Sequence, residues 1–406
     1  MVSNIRETKP NSDASRPRPG WRAYVVILAA CAATQLLLSL LVTPNRSFGN
    51  VRWYYAMGEQ MRASGLFAVW TAYPPLFSLS LYGDITVLPS WRAFLHGWQV
   101  LNVALVLAIA AVIYRILARS RREDALPAAI GFVLVNAITS SAITIGYYID
   151  QFDYMPILLM MVSVAALESD RPLRSAIWCA LGAMAKIFPA VVMPVAILSV
   201  DRRRRMQYAV VFAAVALIVT LPWLIAGPNS LRSFLRFAVA RESWETIWTF
   251  PHMQFPPIPP PEYFLVPFDG SGTATPWLPW LTIIAMAAYL AWWRQRPAKD
   301  APAAVLALLV ILLLFSKGIS SNFPFWLFPL IFVVYRPVQA CAICLVFLLV
   351  GNIEFVHTEH LLDDTAYWMA VWGRHALLVG LLTHVVLIQF KSVGQTVSGN
   401  VAPRKF

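Results

Sequence analysis

Charge is scarce in this chain: of 406 residues only 20 are Asp or Glu and 32 are Lys or Arg, while 59% are hydrophobic. A soluble fold does not tolerate that balance, and the mean hydropathy of +0.63 places the chain among polytopic membrane proteins. Other absences narrow the field. There is no Gly-rich phosphate loop, no nucleophile elbow and no soluble nucleotide-sugar domain, so energy for any group transfer has to arrive in a lipid-linked donor. No internal repeat argues for an inverted-repeat transporter. Cysteine is rare, with four in all, and the Cys341/Cys344 CxxC sits in the apolar run VQACAICLVFLLV without flanking His or acidic ligands. It reads as small apolar packing rather than a metal or redox site. His357, Glu359, His360, Asp363 and Asp364 cluster without the HExxH spacing of a zinc protease.

What charge there is falls in short basic clusters between apolar runs: Arg115/Arg119/Arg121/Arg122, Arg202 to Arg205 and Arg294/Arg296/Lys299. This is the pattern of positive-inside loops and not of a nucleic-acid groove. Apolar segments fall at about 21–43, 93–117, 125–147, 154–169, 173–186, 188–200, 206–226, 277–294, 301–316, 323–335, 338–352 and 371–391. An alternating trace through these twelve puts every strong basic cluster on one side, with both termini cytoplasmic in the inner membrane. That trace needs 173–200 to be two short helices meeting at Lys186-Ile-Phe-Pro189. The fold expected is an all-α polytopic bundle over 21–391, flanked by a Pro-rich disordered tail at 1–20 and a cytoplasmic tail at 392–406. Two long loops remain on the outer face. The first, 44–92, carries the helix-like VRWYYAMGEQMRASG, expected to lie in the interface. The second, 227–276, holds RESWETIW and then the Pro-rich PHMQFPPIPPPEY, which cannot be regular helix.

The stretch from Tyr147 to Pro194 is membrane-grade sequence interrupted by Asp150, Asp153 and Lys186. Each ionisable group at membrane depth costs roughly 2.5–3.5 kcal/mol on insertion scales unless it meets water, a partner or a ligand. The trace brings all three to the outer face. There a lysine can neutralise a phosphate, and an aspartate can accept sugar hydroxyls or take a proton. An internal ion pair that locks two helices is the structural alternative, compatible with the first. Lys317 is a second cation at that face. Arg241, Glu242 and Glu245 stand among Trp244 and Trp248, an arrangement suited to gripping a sugar ring or, more plainly, a solvated loop helix.

In these residues the chain resembles the GT-C superfamily of integral-membrane glycosyltransferases. It is most similar to the bacterial branch containing the alpha-mannosyltransferases of phosphatidylinositol-mannoside synthesis, and more distantly to the first GPI-anchor mannosyltransferase. The match runs through Tyr54-Tyr55, Gly65 and Tyr73-Pro74-Pro75-Leu76, then Gln151-Phe152-Asp153 with Pro156, and Gly182 to Lys186-x-x-Pro189. It continues through Arg241-Glu242-Ser243 and Lys317 to Trp326 with Pro329.

The resemblance implies an outward-facing active site, a polyprenyl-phosphate-linked donor such as polyprenyl-phosphate-mannose, inversion at the anomeric carbon and a lipid or glycan acceptor. Lys186, Lys317 and Arg241 are then expected at the donor phosphate, and Tyr54, Tyr73, Gln151, Glu242 and Trp244 at the sugar. No cofactor is implied; a divalent cation at Asp150/Asp153 is the alternative way to offset the phosphate charge. One departure matters. Where the family has an acidic base in the first outer loop, this chain offers Asn50, and an amide does not take a proton at neutral pH. Glu59, Asp153 or Asp150 can serve instead, with Asp153 preferred, or the chain is a non-catalytic scaffold. A lipid-linked sugar transporter is the rival from another class.

Overall fold

The computed structural model describes residues 49–141, 152–240, 246–249, 275–296, 300–319, 323–358 and 364–397, together with isolated helical positions 25, 29, 30 and 33. Within them are fourteen α-helices and no strand. In chain order these are α1 (Gly49–Ser64), α2 (Pro75–Val87), α3 (Trp91–Ser120), α4 (Arg122–Ser141), α5 (Tyr154–Leu167), α6 (Pro172–Ala185) and α7 (Val192–Ser199). They continue with α8 (Arg202–Ala226), α9 (Pro228–Ala240), α10 (Leu278–Arg294), α11 (Ala301–Leu314), α12 (Phe328–Val334), α13 (Pro337–Thr358) and α14 (Asp364–Val397).

Local chemistry sets many of these boundaries. Ser90, Asp201 and Asp300 cap α3, α8 and α11 by accepting backbone N–H bonds from Ala93 (3.3 Å), Arg204 (3.0 Å) and Ala303 (3.0 Å), which satisfies donors that a helix start leaves open. Proline opens α2, α6, α10 and α11, where its missing N–H costs nothing.

The core forms around α11, a helix apolar on every side and buried along almost its whole length. A helix with no polar face belongs in the middle of a bundle. Helices α14, α10, α12, α7 and α5 pack on it, α3 and α4 join the same core against α12, and α6 packs antiparallel on α5. A second cluster, built on Tyr54, Met57, Phe77, Phe94 and Trp98, joins α1, α2 and α3 into a cap over one end. The 44–92 loop is thus largely helical.

Among the described residues four helices are long and apolar enough to cross a bilayer: α3, α8, α13 over Pro337–Glu354, and α14 over Thr365–Phe390. The other apolar segments form shorter pieces, among them α5, α11 and the 3-10 turn with α7. Hydropathy does not distinguish a lipid-facing span from a short, protein-shielded one, so the apolar segments differ in length and burial. At the other extreme from α11 is α8, of whose apolar window only 6% is buried.

The 173–200 stretch is broken as its sequence requires. Helix α6 ends at Ala185, Lys186 is extended, a 3-10 turn runs over Phe188–Val191, and α7 returns alongside. Gly182 permits the fold-back, because a Cβ there would sit 2.8 Å from the Cβ of Pro189.

Candidate active site

The α6–α7 break presents Lys186 to the N-terminal end of α5. Asp153 precedes α5 but its side chain does not cap the helix; the carboxylate is instead hydrogen-bonded to the Lys186 ammonium. The pair is largely withdrawn from solvent, with side-chain exposures of 5% for Asp153 and 15% for Lys186. Three aromatic rings close around the ammonium: Tyr73 at 5.4 Å, Phe323 at 5.1 Å and Trp326 at 5.0 Å from Nζ to ring centroid. Such faces stabilise a cation through the ring quadrupole, by roughly 0.5–2 kcal/mol each. The cage therefore offsets part of what desolvating the lysine costs.

Each wall of the cage is fixed by its own packing. Tyr73 lies in the turn before α2, its hydroxyl 3.1 Å from that of Tyr54 on α1 and its ring 4.3 Å from Phe77. Phe77 in turn meets Phe152, the residue before Asp153, edge to face at 4.5 Å. Trp326 is stacked on Phe188 (4.2 Å) and on Phe323 (4.3 Å). That holds the indole plane, and its Nε1–H is buried with no hydrogen-bond partner among the described residues. A buried unpaired donor beside an ammonium suits a site awaiting an acceptor.

The expected site residues are thus partly assembled. Tyr54, Tyr73, Asp153 and Lys186 form one connected group. Lys317 is buried in the turn after α11, on the same short connection that carries Phe323 and Trp326. The turn is braced from above by Trp248, whose indole donates to the Leu314 carbonyl at 2.8 Å and stacks near Phe315. Glu59 is held apart from the group by its own helix, in a 3.0 Å ion pair with Arg62 one turn on. Asn50 lies in the first turn of α1, one turn before Tyr54. Asp150, Gln151, Arg241, Glu242 and Trp244 lie outside the described residues, as do Glu359, His360 and Asp363 of the acidic and histidine cluster. Among the described residues no three His, Cys, Asp or Glu side chains come together to hold a metal.

Two features escaped the reading of the sequence. Phe323 and Trp326 are indistinguishable from core aromatics in an apolar run, and only the fold brings them to Lys186. The second is a buried ion pair between Arg374 of α14 and Glu354 of α13, whose Nη1 donates to both carboxylate oxygens at 2.6 Å. The rule that singled out Asp153 and Lys186, charge inside an apolar run, points equally to these two.

The family model described as Glycosyltransferase family 87 matches residues 70–317, more than half of the chain. The matched stretch includes Tyr73, Asp153, Lys186 and Lys317; Asn50, Tyr54 and Glu59 precede it, and Phe323 and Trp326 follow it. No curated protein matches the chain.

Proposed function

The chain belongs to glycosyltransferase family 87, and from that premise we propose that it transfers mannose from a polyprenyl-phosphate-linked donor to a lipid or glycan acceptor on the outer face of the inner membrane. The twelve-segment trace with both termini cytoplasmic supplies that orientation. The observation that carries the reading is the Asp153–Lys186 pair inside its aromatic cage. A cation suited to a phosphate and a carboxylate suited to a hydroxyl proton lie side by side at the break between α6 and α7, which supports this reading.

In this mechanism the donor phosphate enters beside the cage and takes over the Lys186 ammonium, with Lys317 and Arg241 as further cations. Losing the lysine frees the Asp153 carboxylate. The acceptor hydroxyl attacks the anomeric carbon from the face opposite the phosphate, its proton passes to Asp153, and the bond from the anomeric carbon to the phosphate oxygen breaks with inversion. The lipid phosphate leaves carrying the negative charge that the cations offset. Tyr54 and Tyr73, with Gln151, Glu242 and Trp244, bracket the sugar. Asp150 and Glu59 are the alternative bases, and Glu59 is the weaker of the two because Arg62 already engages it.

A second reading rests on Asn50: an amide where the related enzymes hold their base fits a catalytically silent scaffold. One experiment separates the two. Purified protein in lipid is given radiolabelled polyprenyl-phosphate-mannose and a membrane lipid extract, as wild type, Asp153→Asn and Asn50→Asp. Transfer by wild type that is lost in Asp153→Asn supports the enzyme. A silent wild type with activity in Asn50→Asp supports the scaffold, and silence in all three rejects this donor.

A further inference from the structure

A cavity of about 230 Å³ opens where α8 ends and α9 begins, between that junction and the loop following α1; Phe67, Trp70, Gly227, Asn229, Ser230 and Ser233 line it. Its walls are close-set. A Cβ on Gly227 would lie 3.0 Å from Phe67, and Ser230 Oγ donates to the Val69 carbonyl at 2.9 Å. The cavity's height relative to the bilayer follows from α8. That helix packs on α6 along one side, has only 6% of its apolar window fully buried, and carries Arg202 to Arg205 at its other end. Helix α9 therefore starts at the bilayer surface on the side away from that basic cluster, the outer side by the positive-inside rule.

The residues of α9 divide accordingly. Ser230, Ser233 and Phe234 turn into the protein, while Asn229, Arg232, Leu235 and Arg236 are exposed. Arg232 and Ser233 lie three and four residues after Asn229, and Arg236 lies three and four after Ser233 and Arg232, so the four form a stripe along one side of the helix. Two members of the stripe line the cavity and two are arginines with no ion-pair or hydrogen-bond partner among the described residues. Leu235 beside them is 54% exposed, an apolar contact for acyl chains. Unpaired guanidinium groups at a bilayer surface, flanking a half-polar hollow, complement a phosphodiester.

We propose that this cavity and the α9 stripe form a seat for the headgroup of an anionic phospholipid in the outer leaflet. Arg232 and Arg236 take the phosphate, Asn229 and Ser233 face the polar headgroup substituent, and the acyl chains run down the lipid-facing side of α8. The seat is a binding site independent of the transfer reaction. It adjoins the candidate active site through the 65–78 segment: a narrow second cleft is walled by both Ser230 and Tyr73.

The test uses the full chain in nanodiscs of phosphatidylcholine, titrated with fluorescent short-chain phosphatidylglycerol or phosphatidylcholine and checked by native mass spectrometry of retained lipid. Wild type is expected to prefer phosphatidylglycerol. Arg232→Gln/Arg236→Gln should weaken phosphatidylglycerol binding about 10- to 30-fold, while Arg232→Lys/Arg236→Lys keeps most of it. Asn229→Trp, which fills the cavity mouth with charge unchanged, should weaken it as well, separating a seat from mere surface charge. Equal affinity of wild type for the two lipids, or a glutamine variant indistinguishable from wild type, overturns the proposal. So does full retention of affinity in Asn229→Trp.

Discussion

Arg374 and Glu354 bury their charges at side-chain exposures of 1% and 0%, whereas Asp153 and Lys186 keep 5% and 15%. The arginine meets both carboxylate oxygens, and its guanidinium is held in one geometry by the two helices that carry the pair, α13 and α14. The lysine makes a single-oxygen contact to Asp153 from an extended residue, and rings rather than further carboxylates surround it. A planar, permanently charged group locked to a carboxylate is suited to fixing the register of two helices. A compact ammonium in a cage of π faces can exchange one anion for another without leaving its cage. On the proposed function, the same expensive ingredient, buried charge, serves in one place as a fastener and in the other as a receptor.

The largest effect should come from breaking the fastener. Arg374→Met leaves Glu354 buried without its cation and is expected to lower stability by about 3–5 kcal/mol, read as a fall in melting temperature in detergent. Arg374→Met with Glu354→Gln should recover most of the loss, because no charge then remains. If Arg374→Met folds normally but abolishes transfer, the two pairs do not divide the work as described.

At the receptor, Lys186→Met should reduce transfer about 100-fold, the loss expected when a charge-stabilising group is removed, with a smaller thermal penalty than Arg374→Met because Lys186 is not fully desolvated. A larger melting shift at Lys186 than at Arg374 would reverse the assignment. Trp326→Phe keeps a ring beside the ammonium but removes the unpaired Nε1–H. It should raise the donor KM by about tenfold, as expected for one hydrogen bond to a charged oxygen, and leave the melting temperature within a degree or two. An unchanged KM would make the indole a packing element only.

Asp84 on α2 supplies the third case, a half-buried carboxylate whose environment is dominated by desolvation, which pushes its pKa up from 3.8 to about 6. A folded-state value above the unfolded one means the folded protein holds the proton more tightly. Stability therefore falls as pH rises from about 4 to about 6 and is flat beyond. Asp84→Asn removes that fall and should stabilise the protein by about 1 kcal/mol at pH 7, a figure reduced for partial solvent exposure, and by nothing near pH 4. Melting curves at the two pH values check it; equal gains at both would assign the effect to something other than ionisation.

The parts of this molecule legible in the sequence are those where chemistry violates its surroundings. Asp153 and Lys186 stand out because an apolar run tolerates them only with a reason, and the break at Lys186 to Pro189 follows from proline and from charge placement. The helical character of 44–92 shows in the spacing of its aromatics. Phe323 and Trp326 conform to their surroundings and carry no such signal. The unequal lengths of the apolar helices are equally hidden: α11 and α8 are both strongly apolar, yet one is enclosed by protein and the other packs along one side only. Helix α9 was legible in principle from the spacing of Arg232 and Arg236, but inside a loop rich in proline further on, it read as connection rather than element.

The apolar run of α8, residues 206–226, is about 31 Å long, close to the roughly 30 Å of hydrocarbon in a typical bilayer. Packed on α6 along one side and exposed along the other, it passes changes in bilayer thickness to the helices it touches: a thinner bilayer favours a greater tilt, and a thicker one a more upright helix. Helix α9 and the hollow at its start hang from the outer end of this strut. The bilayer's thickness therefore bears mechanically on the rim of the candidate active site, through a helix packed along one side on α6 and exposed along the other.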